Sequence, residues 1–390
     1  MTENNSGRRV LPLIVVAQFL CTSLWFAGNA VAADLTRTFR LEAGTVAAVT
    51  SFVQFGFIAG TLIFAFLKIS DKYSPSKVFL VCGLLGATSN FGITLLETST
   101  LLLPLRLATG FFLAGIYPVG MKIASDYHQK GLGLALGYLV GALVLGTASP
   151  HLFRDFFLGA PWQYVFYSTS GLALVGALVV GLAVADGPYR KPSPTVDPTA
   201  FFSVFRHRRF RSAAIGYFGH MWELYAFWAF VPIFISMYIS QSGSDLSVSM
   251  LAFWVIGIGG PGCVIGGYIS RRTGSDRLAA GALFSSLICC LISPLMLNVT
   301  TPVFILFLLF WGAVVVMDSP QFSALIAEAA PRESIGTALT IVNSLGFAVT
   351  IMSIQLLGFW IDSSNIFMLL APGPILGLSL FIYGFFQKNG

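Results

Sequence analysis

Residues 101–121 read LLLPLRLATGFFLAGIYPVGM, with Arg106 the single charge in the run. A helix of that length rises roughly 30 Å, the thickness of a bilayer's hydrocarbon core. A charge there costs about 2.5–3.5 kcal/mol even on the lenient insertion scale, so Arg106 needs a reason to be present. Working outward, eleven comparable stretches flank it. The twelve spans run 10–33, 46–66, 78–96, 100–121, 132–152, 163–185, 212–239, 247–269, 278–297, 301–323, 336–357 and 366–386. Composition agrees: 56% of the 390 residues are hydrophobic, 10% are charged and the mean hydropathy is +0.82. A soluble domain carries about a quarter charged residues, so lipid is the solvent this chain requires.

Basic residues set the orientation. With the N-terminus inside, 18 of the 22 Lys and Arg fall on the cytoplasmic side, the outer loops keep Arg37, Arg40 and Arg154, and Arg106 is buried in its span. The expected location is the inner (cytoplasmic) membrane, with both termini cytoplasmic. The net charge of +6 is explained by this loop bias, so no nucleic-acid partner is expected. Arg8 and Arg9 before an apolar run resemble a signal peptide, but the run from 10 to 33 exceeds the usual 7–15 residues of such a region and is kept as span one. Cys21, Cys82, Cys263, Cys289 and Cys290 all lie in apolar spans without metal-ligand spacing, and read as small core residues.

The longest polar interval, 186–211, divides the chain into an N-terminal bundle (1–185) and a C-terminal bundle (212–390), each with six spans. The halves echo one another. Arg8 and Trp25 repeat the spacing of Arg211 and Trp228, Gly131 and Gly141 that of Gly336 and Gly346, and short basic loops follow spans two and eight. Parallel repeats of this kind occur in transporters. Gly133, Gly137 and Gly141 recur every four residues, a stripe that lets helices approach closely.

Twelve spans, a central linker and paired basic loops resemble the major facilitator superfamily over essentially the whole chain. The first loop copy has Leu67, Asp71, Lys72 and Ser74 at the motif positions, and the second has Gly267, Arg271, Arg272 and Gly274. Arg106 with Gly110 and Gly115 is similar to the family's Arg-centred motif, often linked with proton coupling. Gly137, Gly141, Gly146 and Pro150 are similar to the glycine-rich motif of its exporters, with Ala142 where that motif has Gly. The resemblance implies an all-α membrane protein of two pseudo-symmetric six-helix bundles, a cavity lined by spans one, four, seven and ten, and gating by Asp71, Lys72, Arg271 and Arg272.

Four buried ionisable residues stand out: Arg106, His220, Glu223 and Asp318. Glu223 lies about 18 Å along its helix from Arg211, near the midplane, and His220 is three residues earlier on the same face. Asp318 precedes Pro320, which breaks span ten locally. Glu223, His220 and Asp318 are the candidate proton-coupling groups, although a hydrogen-bonded pair that only holds helices together is the competing reading. Arg106, Trp25, Asn29, Tyr117 and Gln321 are the candidate solute contacts. Arg106 is expected to bind the solute or to pair with an acid.

No nucleotide-binding, hydrolase or redox motif is present, so neither an enzyme nor a cofactor is expected. The leading function is a proton-coupled secondary transporter of a small organic solute, with an anion on Arg106 as one candidate, working as a monomer by alternating access. An exporter of hydrophobic or cationic compounds, favoured by the 36 Phe, and a non-transporting membrane sensor on a carrier fold are the alternatives.

Overall fold

The structure is a computed structural model that describes residues 5–41, 44–127, 132–190, 205–330 and 335–385. Regular structure among the described residues is entirely helical. Eleven helical segments are long and apolar enough to cross a membrane, and the twelfth, span one, is broken into pieces. The chain forms two compact units, Met1–Ser193 and Pro194–Gly390. They are two six-span bundles of an all-α membrane protein.

In the first unit, span two (Thr45–Phe66) packs along span four, span three (Pro75–Gly92) along spans four and six, and span one against spans five and six. Glycine sets the closest of these approaches. A Cβ on Gly56 would strike the Leu107 carbonyl, and one on Gly110 the Val53 carbonyl, so spans two and four touch backbone to backbone. The second unit repeats the device between spans eight and ten, where a Cβ on Gly312 would strike the Val255 carbonyl. Val53 and Gly110 are displaced from Val255 and Gly312 by the same number of positions, as Gly60 and Phe111 are from Gly262 and Ala313. Contact geometry thus gives the internal repeat a firm register.

Four spans are interrupted, each with a local cause. Span one runs Asn5–Thr22, turns through residues 23–26 and resumes as Ala27–Ala30 and Ala32–Phe39. Thr22 Oγ1 donates to the Gln18 carbonyl and Ser23 Oγ to the Leu20 carbonyl, side-chain bonds that compete with the helical ladder. Span four breaks between Leu102–Leu113 and Tyr117–Tyr127, just before Pro118, which has no N–H to continue the ladder. Span eight breaks at Ile258 within its glycine-rich centre. Span ten breaks at Asp318, between Thr301–Met317 and Ser319–Ala329, as Pro320 leads one to expect. Pro320 brings no N–H to the Val316 carbonyl, and the Cys263 thiol of span eight donates to that carbonyl at 3.4 Å.

The five cysteines are free and buried. In the second unit the core is aromatic: Phe227 packs on Trp311 with ring centroids 4.5 Å apart, and Tyr238 stacks on Phe304 at 3.8 Å.

Candidate functional site

Each unit holds a buried charge where its first, third and fourth spans meet. In the first unit that charge is Arg106, with no exposed surface. The turn at residues 23–26 takes the Leu24 and Trp25 carbonyls out of the helical ladder, and span four delivers the guanidinium to them. Nη1 donates to the Leu24 carbonyl at 3.1 Å and to Asn90 Oδ1 at 3.2 Å, and Nη2 donates to the Trp25 carbonyl at 2.5 Å. Asn90, on span three, passes the network outward, its Nδ2 donating to Thr169 Oγ1 and Ser170 Oγ at 3.0 Å each. Gly28 leaves the room: a Cβ there would lie 3.3 Å from Arg106 Nε. Among the described residues no carboxylate pairs with Arg106. It meets main-chain dipoles, where the sequence suggested an acid or the solute itself.

In the second unit the charge is Glu223, on a helix that runs unbroken from Arg208 to Ser242. Span nine (Ser275–Met296) contributes Ser286 and Cys290, and span ten contributes Trp311. Trp311 Nε1 donates to Glu223 Oε1 at 2.8 Å, Cys290 Sγ donates to it at 3.4 Å, and Ser286 Oγ donates to the same oxygen. Trp311 Nε1 also lies 2.9 Å from Ser286 Oγ, which closes a triangle of polar atoms in an apolar setting. No cation pairs with Glu223 among the described residues. All three donors converge on Oε1 and none on Oε2, which distinguishes the two carboxyl oxygens.

His220, three residues earlier, faces a different partner. Its Nδ1 lies 2.8 Å from Asp318 Oδ1, at the break in span ten, and both residues are about 1% exposed. Tyr217 and Phe322 pack against the imidazole. The structure thus brings together His220 with Asp318, and places Glu223 in its own network with Trp311, Ser286 and Cys290. Gln321 is buried one turn beyond, its backbone N–H donating to the Asp318 carbonyl at 3.0 Å.

Trp25 is buried against Phe57 with ring centroids 4.8 Å apart, and Asn29 Nδ2 donates to Thr50 Oγ1 at 2.6 Å. Tyr117 is half-buried at the start of the second piece of span four. Lys72, Arg271 and Arg272, the residues expected to gate, are exposed, with Arg271 over the Tyr268 ring at 5.6 Å. The backbone of Asp71 belongs to the short helix Ile69–Lys72, and its side chain lies outside the described ones. The described bonds of this loop go to the segment after span six. Ser74 Oγ donates to Asp186 Oδ1 at 2.5 Å, while Arg190 reaches Asp186 Oδ2 at 2.7 Å and the Tyr73 carbonyl at 2.8 Å.

The cost of burying charge singles out ionisable groups inside spans, and the family resemblance adds Trp25, Asn29, Tyr117 and Gln321, but neither points to the other neutral polar residues. Asn90, Ser286 and Trp311 carry the networks above. Gln18 and Gln54, both with no exposed surface, have side-chain amides without a hydrogen-bond partner among the described residues. A lone glutamine between phenylalanines, as at Phe52–Phe55 (FVQF), was the available signal.

The Major Facilitator Superfamily model matches residues 13–354. No curated protein sequence matches the chain significantly. Among solved structures, the nucleoside transporter NupG superposes with a TM-score of 0.74 at 14% identity, covering 96% of this chain and 100% of that one. A bacterial homolog of the human lysosomal transporter Spinster, inward-facing and occupied, superposes with a TM-score of 0.67 at 15% identity, covering 97% and 95%. The same protein in its unoccupied form gives 0.66 at 14% identity, covering 98% and 96%. At those identities the likeness shows the fold alone. The family match spans most of the sequence, and the chain belongs to the Major Facilitator Superfamily.

Proposed function

We propose that this protein is a proton-coupled secondary transporter of a small polar solute, with Glu223 as the group that takes up and releases the proton. The observation that carries the reading is the Glu223 network: a carboxyl in an apolar core with, among the described residues, no cation beside it and all three side-chain donors on one oxygen. A charge so placed is expensive, and the cost is relieved when Oε2 holds a proton. Carriage of a neutral Glu223 through the occluded state, and its release of the proton on one side, links solute movement to the proton gradient. His220 and Asp318 form a second pair on the same two helices, through which span seven can sense the break in span ten. The one-sided distribution of basic residues supports cytoplasmic termini, and with them a location in the inner membrane.

An anionic solute draws less support, because three of the five N–H donors of Arg106 go to the Leu24 and Trp25 carbonyls and to Asn90 Oδ1. An uncharged polar solute fits better, a class that includes nucleosides, the cargo named for NupG. The exporter of hydrophobic or cationic compounds keeps one supporting observation, the buried cluster of Tyr225, Trp228 and Phe347. The test is transport in proteoliposomes under an imposed pH gradient. Glu223→Gln is expected to abolish gradient-driven accumulation while solute exchange persists. Accumulation at the wild-type rate in that variant removes Glu223 from the coupling.

A further inference from the structure

The first unit contains polar atoms that its own fold does not use. Gln54 lies at the middle of span two, ten residues into a helix of 22, and is completely buried, yet neither its Oε1 nor its Nε2 has a partner among the described residues. One turn earlier on the same face, Thr50 Oγ1 accepts from Asn29 Nδ2 at 2.6 Å and donates to the Val46 carbonyl. Asn29 Oδ1 is then left over, also buried and also without a partner. One turn later, Phe57 holds the Trp25 ring. The whole Gln54 amide, the Asn29 amide oxygen and two aromatic rings therefore share one helical face of span two and the broken middle of span one. A buried donor or acceptor left unmade is costly, so both sit there against the interest of stability. Gly28 and Arg106 hold the turn from which Trp25 and Asn29 project.

We infer that Gln54 and Asn29 form the solute-recognition subsite of the first unit, and that its ligand is an uncharged molecule with an amide edge, an N–H beside a C=O, as in a nucleobase or a cyclic amide. A carboxamide with both groups free matches such an edge by two antiparallel hydrogen bonds, one donated by Nε2 and one accepted by Oε1. Asn29 Oδ1 accepts a further donor from the ligand. Anions meet an acceptor at Asn29, and lipophilic cations cannot satisfy either amide, so the set selects against both. Within the transport reading above, this names the chemical class of the solute.

Equilibrium binding of radiolabelled uridine and uracil to the purified protein tests the inference, with benzoate and tetraphenylphosphonium as the anionic and cationic comparisons. No pH gradient is applied, so the result is independent of whether Glu223 carries the proton, and either claim can fail alone. Gln54→Met keeps the chain length and removes both hydrogen-bonding groups. Because no group among the described residues relies on the amide, the variant is expected to unfold at the wild-type temperature or above it. Its affinity for the heterocycles is expected to fall by about tenfold or more, the loss of one good hydrogen-bond pair. Three results overturn the proposal: no binding of either heterocycle to the wild type, equal binding to wild type and Gln54→Met, or a lowered unfolding temperature in the variant. The last outcome means that the amide is part of the scaffold.

Discussion

The two bundles put their deepest charge at the same three-helix junction and give it opposite signs. In the first unit spans one, three and four meet at Arg106, and in the second spans seven, nine and ten meet at Glu223. The backbone accounts for the difference. Span one is unwound at residues 23–26 and offers carbonyls, which a guanidinium satisfies at two points. Span seven is continuous for 35 residues and unbroken around Glu223, so the polar slot is filled from side chains: a carboxyl, an indole N–H, a hydroxyl and a thiol. Arginine in a protein does not give up its proton, whereas a carboxyl does. One half therefore carries a guanidinium that keeps its proton, and the other a carboxyl that, in the function proposed above, exchanges one.

The largest effect expected from breaking this pairing is at Arg106. Arg106→Leu strips the donors from two buried carbonyls and from Asn90 Oδ1 together, and should destabilise the protein by about 3–5 kcal/mol, visible as loss of folded yield and a large drop in unfolding temperature. Arg106→Lys keeps the charge but cannot span both carbonyls and Asn90, so its loss should be intermediate. A near-native unfolding temperature for Arg106→Leu would mean that the residue serves the solute and not the fold.

Next comes the repeat itself. Gly110→Ala and Gly312→Ala each drive a Cβ into a carbonyl of the facing helix, Val53 and Val255 respectively. Both are expected to cost about 1–3 kcal/mol or more by overpacking, and to similar extents. Thermal unfolding of the pair checks the equivalence of the halves, and a severe effect in one with none in the other breaks it. A smaller effect is expected at Glu223. Glu223→Leu orphans the Ser286 hydroxyl proton and leaves the Trp311 N–H only Ser286 Oγ as acceptor, at a cost of about 1–3 kcal/mol, whereas Glu223→Gln keeps an acceptor for both and should stay within about 1 kcal/mol of wild type. Equal destabilisation by both would show that the charge, and not the hydrogen bonding, holds the junction.

Much of this was legible in the sequence. Apolar length and the sparse charges gave twelve spans, because the bilayer fixes how long a helix must be, and Pro320 announced the break at Asp318. Arg106, Glu223, His220 and Asp318 were identifiable because ionisable groups inside spans are costly. Their partners were not. The spacing of His220 and Glu223 puts them on one helical face, but which of Asp318, Ser286 or Trp311 each meets depends on how spans nine and ten are rotated, which no local pattern encodes. The unwinding of span one arises from hydroxyl back-bonding at Thr22 and Ser23 and from acceptance of its carbonyls by Arg106, a residue 81 positions away from Trp25. Gln54 escaped notice because a neutral amide in an apolar run breaks no rule of charge.

The contrast between a fixed and an exchangeable charge is tested most directly by infrared difference spectroscopy of the reconstituted protein as the pH is stepped from acid to alkaline. A carboxyl C=O band is expected that is lost as the pH rises, that is missing from Glu223→Gln, and that is retained in Arg106→Lys wherever that variant folds. A Glu223→Gln spectrum indistinguishable from wild type would contradict the contrast, because the buried carboxyl would then hold one protonation state throughout.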